Sequence, residues 1–88
     1  MRKGSIQTSV VSVDDTATPI SEADASRASI VIYNAGASTV YIGSAEVSDT
    51  EGFPLAAGAT FSADTITGAI YGICASGADT DLTVMEVK

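Results

Sequence analysis

The sequence predicts an all-β fold: a single small β-sandwich, jelly-roll or immunoglobulin-like, of about six to eight short antiparallel strands. Three observations point there. From Ile30 to Val87, short β-branched and aromatic runs alternate with turns rich in Gly, Ala, Ser and Asp. No segment of helical periodicity separates these runs, which argues against a parallel sheet with crossover helices. The chain has 88 residues, enough for one thin core in one domain.

Ile6–Val13 alternates weakly, with Ile6, Thr8, Val10 and Ser12 on one side of an extended chain. It reads as an edge strand, or one that pairs with another chain. Asp14-Asp15-Thr16 breaks it, and Thr18-Pro19-Ile20 stays extended because a residue before proline avoids the helical region. Ser21–Ala28 has helical composition but too few apolar residues for a packed face, so it reads as a loop or a single turn.

Arg27–Tyr33 is the first strong strand, and its run Ile30-Val31-Ile32-Tyr33 predicts burial on both faces. Asn34–Ser38 then predicts a hairpin into Thr39–Gly43. Ser44–Gly52 is polar and acidic. Phe53-Pro54-Leu55 is an apolar tripeptide in which Pro54 excludes a central ladder position. Thr60–Asp64, Ile70–Cys74 and Leu82–Val87 complete the strands, and no internal repeat is visible. The expected core is Ile30, Ile32, Val40, Ile42, Phe61, Ile70, Leu82 and Val84.

Composition bears on chemistry. The formal charge is −7, from 4 basic and 11 acidic residues, the opposite of the basic footprint that nucleic acid or an anionic membrane requires. The sequence contains 0 histidines, and neither a nucleophile elbow, a phosphate loop nor a zinc spacing occurs. No enzymatic activity, cofactor or metal is expected. The paired acids Asp14/Asp15, Glu46/Asp49/Glu51 and Asp79/Asp81 all fall in predicted loops. They read as solvated turn residues, with calcium ligation as the alternative. Cys74 is the single cysteine, so no intrachain disulfide is possible. It reads as a small buried hydrophobe, with a reactive or intermolecular thiol as the other reading.

Tyr33, Tyr41 and Tyr71 lie inside strand runs and read as sheet-face or core packing rather than a sugar-binding platform. Two readings of Phe53-Pro54-Leu55 stand open, a plug over the end of the sandwich and a contact to a partner. Met1-Arg2-Lys3 precedes no apolar stretch, so no export signal is expected, and synthesis in a cytoplasm follows.

Val40-Tyr41-Ile42-Gly43, Gly52-Phe53-Pro54-Leu55-Ala56-Ala57-Gly58, Ile70–Gly77 and the closing Leu82–Val87 together resemble the small β-sandwich virion structural proteins of tailed bacteriophages. The resemblance covers about Arg27 to Val87 and rests on structural rather than catalytic motifs. It implies a bacteriophage virion protein present in many copies: a capsid decoration, or cement, protein on the outer surface of the head. Its partner would be the major capsid protein, and its own assembly a homotrimer. A head-fibre base or tail component is the alternative within that class, and a carbohydrate-binding module the alternative outside it.

Residues 27–88 are thus expected to form the sandwich, with residues 1–26 as an N-terminal strand or arm able to reach another subunit. The expected partner contacts are Arg2, Lys3, Ile6, Val10, Phe53 and Leu55. Arg2 and Lys3 are two of only 4 cations in the chain.

Overall fold

The computed structural model describes residues 5–64 and 66–88. They form eight strands: β1 (Ile6–Val13), β2 (Thr18–Ser21), β3 (Ser29–Asn34), β4 (Val40–Gly43), β5 (Phe53–Leu55), β6 (Thr60–Asp64), β7 (Ile70–Cys74) and β8 (Thr80–Val87). Two four-stranded sheets result, β1-β8-β3-β6 and β2-β7-β4-β5, with every pairing antiparallel. The pairs β1·β8, β2·β7, β3·β6 and β4·β5 are nested. The chain is therefore one long hairpin, folded at β4/β5 and rolled into two layers. The β3·β8 and β4·β7 pairs complete the sheets. Of the two expected sandwich types, this nesting is the jelly roll.

Strand alternation builds the core. Ile30 and Ile32 of β3, and Leu82 and Val84 of β8, face inward from the first sheet. Val40 and Ile42 of β4, Leu55 of β5, and Ile70 and Cys74 of β7 face them from the second. Val13 and Ile20 close the β1/β2 side. Seven of the eight expected core residues are buried; Phe61 is half-buried and packs against the cluster from β6. At the centre of β7, Gly72 makes room for the core, since a Cβ there would lie 2.8 Å from Ile20 Cδ1 and 3.0 Å from Val40 Cγ2 and would push those side chains aside.

The structure corrects two sequence expectations. β3 and β4 do not form a hairpin but lie in different sheets, so Ala35–Thr39 crosses between the layers. The reason is Asn34, whose side chain is buried where the sheets meet. Its Nδ2 donates to the carbonyls of Ser38 (2.8 Å) and Leu55 (2.9 Å). Its Oδ1 accepts from the Thr80 hydroxyl at 2.6 Å and from the Gly36 N–H at 3.2 Å. These bonds tie β5, β8 and the crossing loop together. Only glycine fits at 36, since a Cβ would stand 2.0 Å from Thr80 Oγ1.

The second correction concerns β3 itself, which is buried on one face only. Ile30 and Ile32 are inside, Val31 is half-buried and Tyr33 is 43% exposed. Nothing among the described residues covers its outer face.

Residues 5–26 supply β1 and β2, one strand to each sheet, within the same sandwich as residues 27–88. Pro19 and Pro54 both sit on edge strands, where a missing N–H interrupts no interior ladder.

Ile32 is 0% exposed at the centre of the core. The Ile32→Ala variant is expected to lose about 2–5 kcal/mol of unfolding free energy, measured by urea titration. A loss below about 1 kcal/mol would mean that the site collapses around the cavity.

Candidate functional site

The strongest surface feature is the outer face of the first sheet. The β1·β8 ladder places Ile6, Thr8 and Val10 beside Val87, Met85 and Thr83. The β8·β3 and β3·β6 ladders extend those rows to Ser29, Val31 and Tyr33, and then to Asp64, Ser62 and Thr60. Alternation directs all these side chains outward. Ile6 is 66% and Val10 69% exposed, while Val31, Met85 and Val87 are half-buried. Asp64 and Asp81 stand at the margins, and the side chains between them are aliphatic, hydroxylic or the single Tyr33. For a chain of formal charge −7, so little charge on a four-stranded face is informative.

The expected contact residues do not converge on one site. Ile6 and Val10 share the β1 side of this face. Phe53 is 62% exposed on β5, the far edge strand of the second sheet, and its ring centroid lies 6.3 Å from that of Phe61. The two rings lie near each other on the β5/β6 side of the sandwich, and Phe53 keeps most of its surface exposed. Leu55 is 3% exposed and belongs to the core, so its side chain offers nothing to a partner. Arg2 and Lys3 lie outside the described residues.

Val31, Tyr33, Met85 and Val87 were not singled out as contacts, although a signal existed. Met85 and Val87 are apolar at the alternation opposite to Leu82 and Val84, as Val31 and Tyr33 are to Ile30 and Ile32. A strand apolar in both phases without a covering layer exposes one apolar face.

A polar cluster sits at the end of the sandwich where β3 begins. Arg27 is 2% exposed. Its Nε pairs with Glu86 at 3.0 Å, and its Nη1 donates to the carbonyls of Ile66 (2.7 Å) and Gly68 (3.1 Å). Its Nη2 donates to Ser21 Oγ (2.8 Å) and the Glu22 carbonyl (2.6 Å), and the Ser21 hydroxyl in turn donates to Glu86. Lys88 bridges Asp24 at 2.7 Å and Glu86 at 3.8 Å. Both cations among the described residues are thus engaged here. The Ser21 hydroxyl, and then Arg27, hold the Glu86 carboxyl below its ordinary range against the opposing effect of burial. The Lys88 ammonium and Ser26 lower Asp24, and Asp24 raises Lys88.

Asp14, Asp79 and Asp81 line an open cleft of about 350 Å³ with Ser12 and Val13. Asp14 bonds as a turn residue, but Asp81, expected in a loop, lies in β8 and bonds across the ladder to β1. Asp14 accepts from the Thr16 N–H at 2.9 Å, and Asp81 from the Ser12 hydroxyl at 2.7 Å. Cys74 is buried with its sulfur 3.6 Å from the Val13 carbonyl. Burial first, then the nearby acids Asp79, Asp14 and Asp15, raise its thiol pKa, as suits a packed hydrophobe rather than a nucleophile. Tyr41 and Tyr71 are half-buried on the outer face of the second sheet. Tyr33 faces out from the first, so the three tyrosines form no common platform.

Comparison of the chain with family models and with curated proteins gave no match.

Carboxylates held low by native partners stabilise the fold above their ordinary pKa, about 4, and that contribution is lost as pH falls through the lowered folded value. The raised Lys88 behaves in the opposite sense: its contribution is complete below about pH 10 and is lost above it. Melting temperatures of the wild type and Glu86→Gln should therefore differ most near neutrality and converge below about pH 4. A gap that stays constant down to pH 2 would remove Glu86 from the acid response.

Proposed function

We propose that this chain is a non-enzymatic structural subunit of a tailed-bacteriophage virion: a capsid decoration protein that binds the outer surface of the major capsid protein and stabilises the head. The observation that carries the reading is the sparsely charged outer face of the β1-β8-β3-β6 sheet, with acids only at its margins (Asp64 and Asp81), on an otherwise acidic molecule. Such a face suits burial against a protein partner, because its central rows present apolar side chains and hydroxyls with no charge to desolvate. The acids of the 44–52 loop belong to the connection between β4 and β5 of the other sheet, where they would face solvent and keep particles apart.

The jelly roll is compatible with this role, since a cement protein requires a rigid scaffold and a docking face but no chemistry. The sequence motifs that resemble phage virion proteins supply the partner class. In this reading the protein is made in the host cytoplasm and ends on the capsid surface, where many equivalent sites give avidity.

The test uses heads of the cognate phage assembled without this chain. Purified protein should bind saturably and raise the temperature at which the heads disrupt. Tyr33→Asp, at the centre of the sparsely charged face, should weaken binding by about tenfold or more while leaving the free protein folded. Binding confined to tails or to the portal vertex would replace the decoration reading with that of a tail or fibre-base component. No binding to any virion part would overturn the virion reading.

A further inference from the structure

We propose that β1 is a self-pairing edge through which two copies of this chain join into one continuous eight-stranded sheet across a twofold axis. Ser5 and Lys88 exchange both backbone hydrogen bonds, at 2.8 and 2.9 Å. The β1·β8 ladder alternates from that pair, so residues 7, 9, 11 and 13 bond to β8. The N–H and C=O groups of Ile6, Thr8, Val10 and Ser12 therefore point away from β8, and none has a backbone partner among the described residues.

The four edges of the sandwich are not alike. β2 is 4 residues long, contains Pro19 and is irregular in register between Pro19 and Ser21. β5 is 3 residues long and contains Pro54. β6 has 5 residues and ends in Asp64. These are the devices that keep an edge from pairing with other chains. β1 has none of them: it is 8 residues long, IQTSVVSV, with no proline and no charge.

The occupant that fits is a second β1. One antiparallel register pairs Ile6 with Ser12 and Thr8 with Val10 of the other copy, and it engages every outward group of all four residues in both copies. Shifting it by two residues leaves outward groups at one end without partners in the strand. The register sets Ser9 against Ser9 across the axis, and it opposes no charge to another although each copy carries −7. It also extends the sparsely charged outer face from one copy into the next. A single free edge paired with its own copy closes at two, whereas the trimer implied by the sequence resemblance needs a heterologous contact. The pairing stands independently of the virion reading, since it rests on the edge and not on Tyr33.

Light scattering of the full chain across about 10–500 μM should show mass rising toward twice 8.8 kDa. Val10→Pro removes an outward N–H without touching the bonds to β8, and is expected to stay monomeric with an unchanged far-UV spectrum. Ser9→Cys should form an intermolecular disulfide rapidly under mild oxidation, because residues paired across a non-hydrogen-bonded site stand about 4.5 Å apart at Cα. Gln7→Cys, two positions off the axis, should cross-link at least tenfold more slowly. A monomer throughout the range, a trimer, a dimer indifferent to a folded Val10→Pro, or equal cross-linking at 7 and 9 would each overturn the proposal. Should Val10→Pro lose its β spectrum, the comparison of 7 with 9 decides alone.

Discussion

Arg27 is a buried guanidinium, and one end of the sandwich is organised around satisfying it. Moving an ion of this size out of water costs several kcal/mol even after relaxation, and the cost is recovered only where geometry and additional hydrogen bonds are both good. Each of its five N–H donors finds an acceptor: Glu86 on β8, Ser21 at the end of β2, the Glu22 carbonyl, and the carbonyls of Ile66 and Gly68. The side chain thereby joins both sheets and the loop that leads into β7. Two residues later β3 begins, the strand that lies between β8 and β6. Asn34 plays the neutral counterpart at the other end of β3, bonded to β5, β8 and the crossing loop. A strand pinned at both ends by polar groups in fixed geometries holds its register, and the apolar core then fills between the pins.

This arrangement explains what sequence reasoning could and could not see. The all-β class and seven of the eight expected core residues were legible, because period-2 alternation and turn residues are local signals. The exclusion of Pro54 from a central ladder position was legible as well, because proline has no N–H to donate. The destination of the β3–β4 connection was not. A loop between two apolar strands looks alike whether it closes a hairpin or crosses between sheets, and the deciding groups, Leu55 and Thr80, lie 21 and 46 residues from Asn34. Arg27 was legible only as the start of the first strong strand, which in fact begins at Ser29, since three of its five acceptors are carbonyls that carry no sequence signature and Glu86 lies 59 residues away. Among the expected contacts, Ile6, Val10 and Phe53 proved exposed, but Leu55 takes the inward phase of β5.

The same physics separates scaffold from surface. Most acids sit in the loops, and both cations among the described residues are engaged in ion pairs of the fold, so charge reaches the outer face of the first sheet only at its margins, at Asp64 and Asp81. A four-stranded face of valine, methionine, threonine, serine and tyrosine is costly to leave in water unless something covers it some of the time. The free edge of β1 borders that face, which places backbone pairing and side-chain docking side by side on one surface. An assembly built from such a unit would use hydrogen bonds for alignment and the apolar rows for affinity.

If Arg27 fixes the sandwich, removing its fork geometry must cost more than removing its charge. Urea unfolding of the wild type, Arg27→Lys and Arg27→Met measures this directly. Lysine keeps the charge but cannot reach acceptors on both sheets at once. Both variants are expected to lose about 3–5 kcal/mol, with lysine giving little rescue. An Arg27→Met protein that unfolds at the wild-type urea concentration would show instead that the apolar core alone holds the two sheets in place.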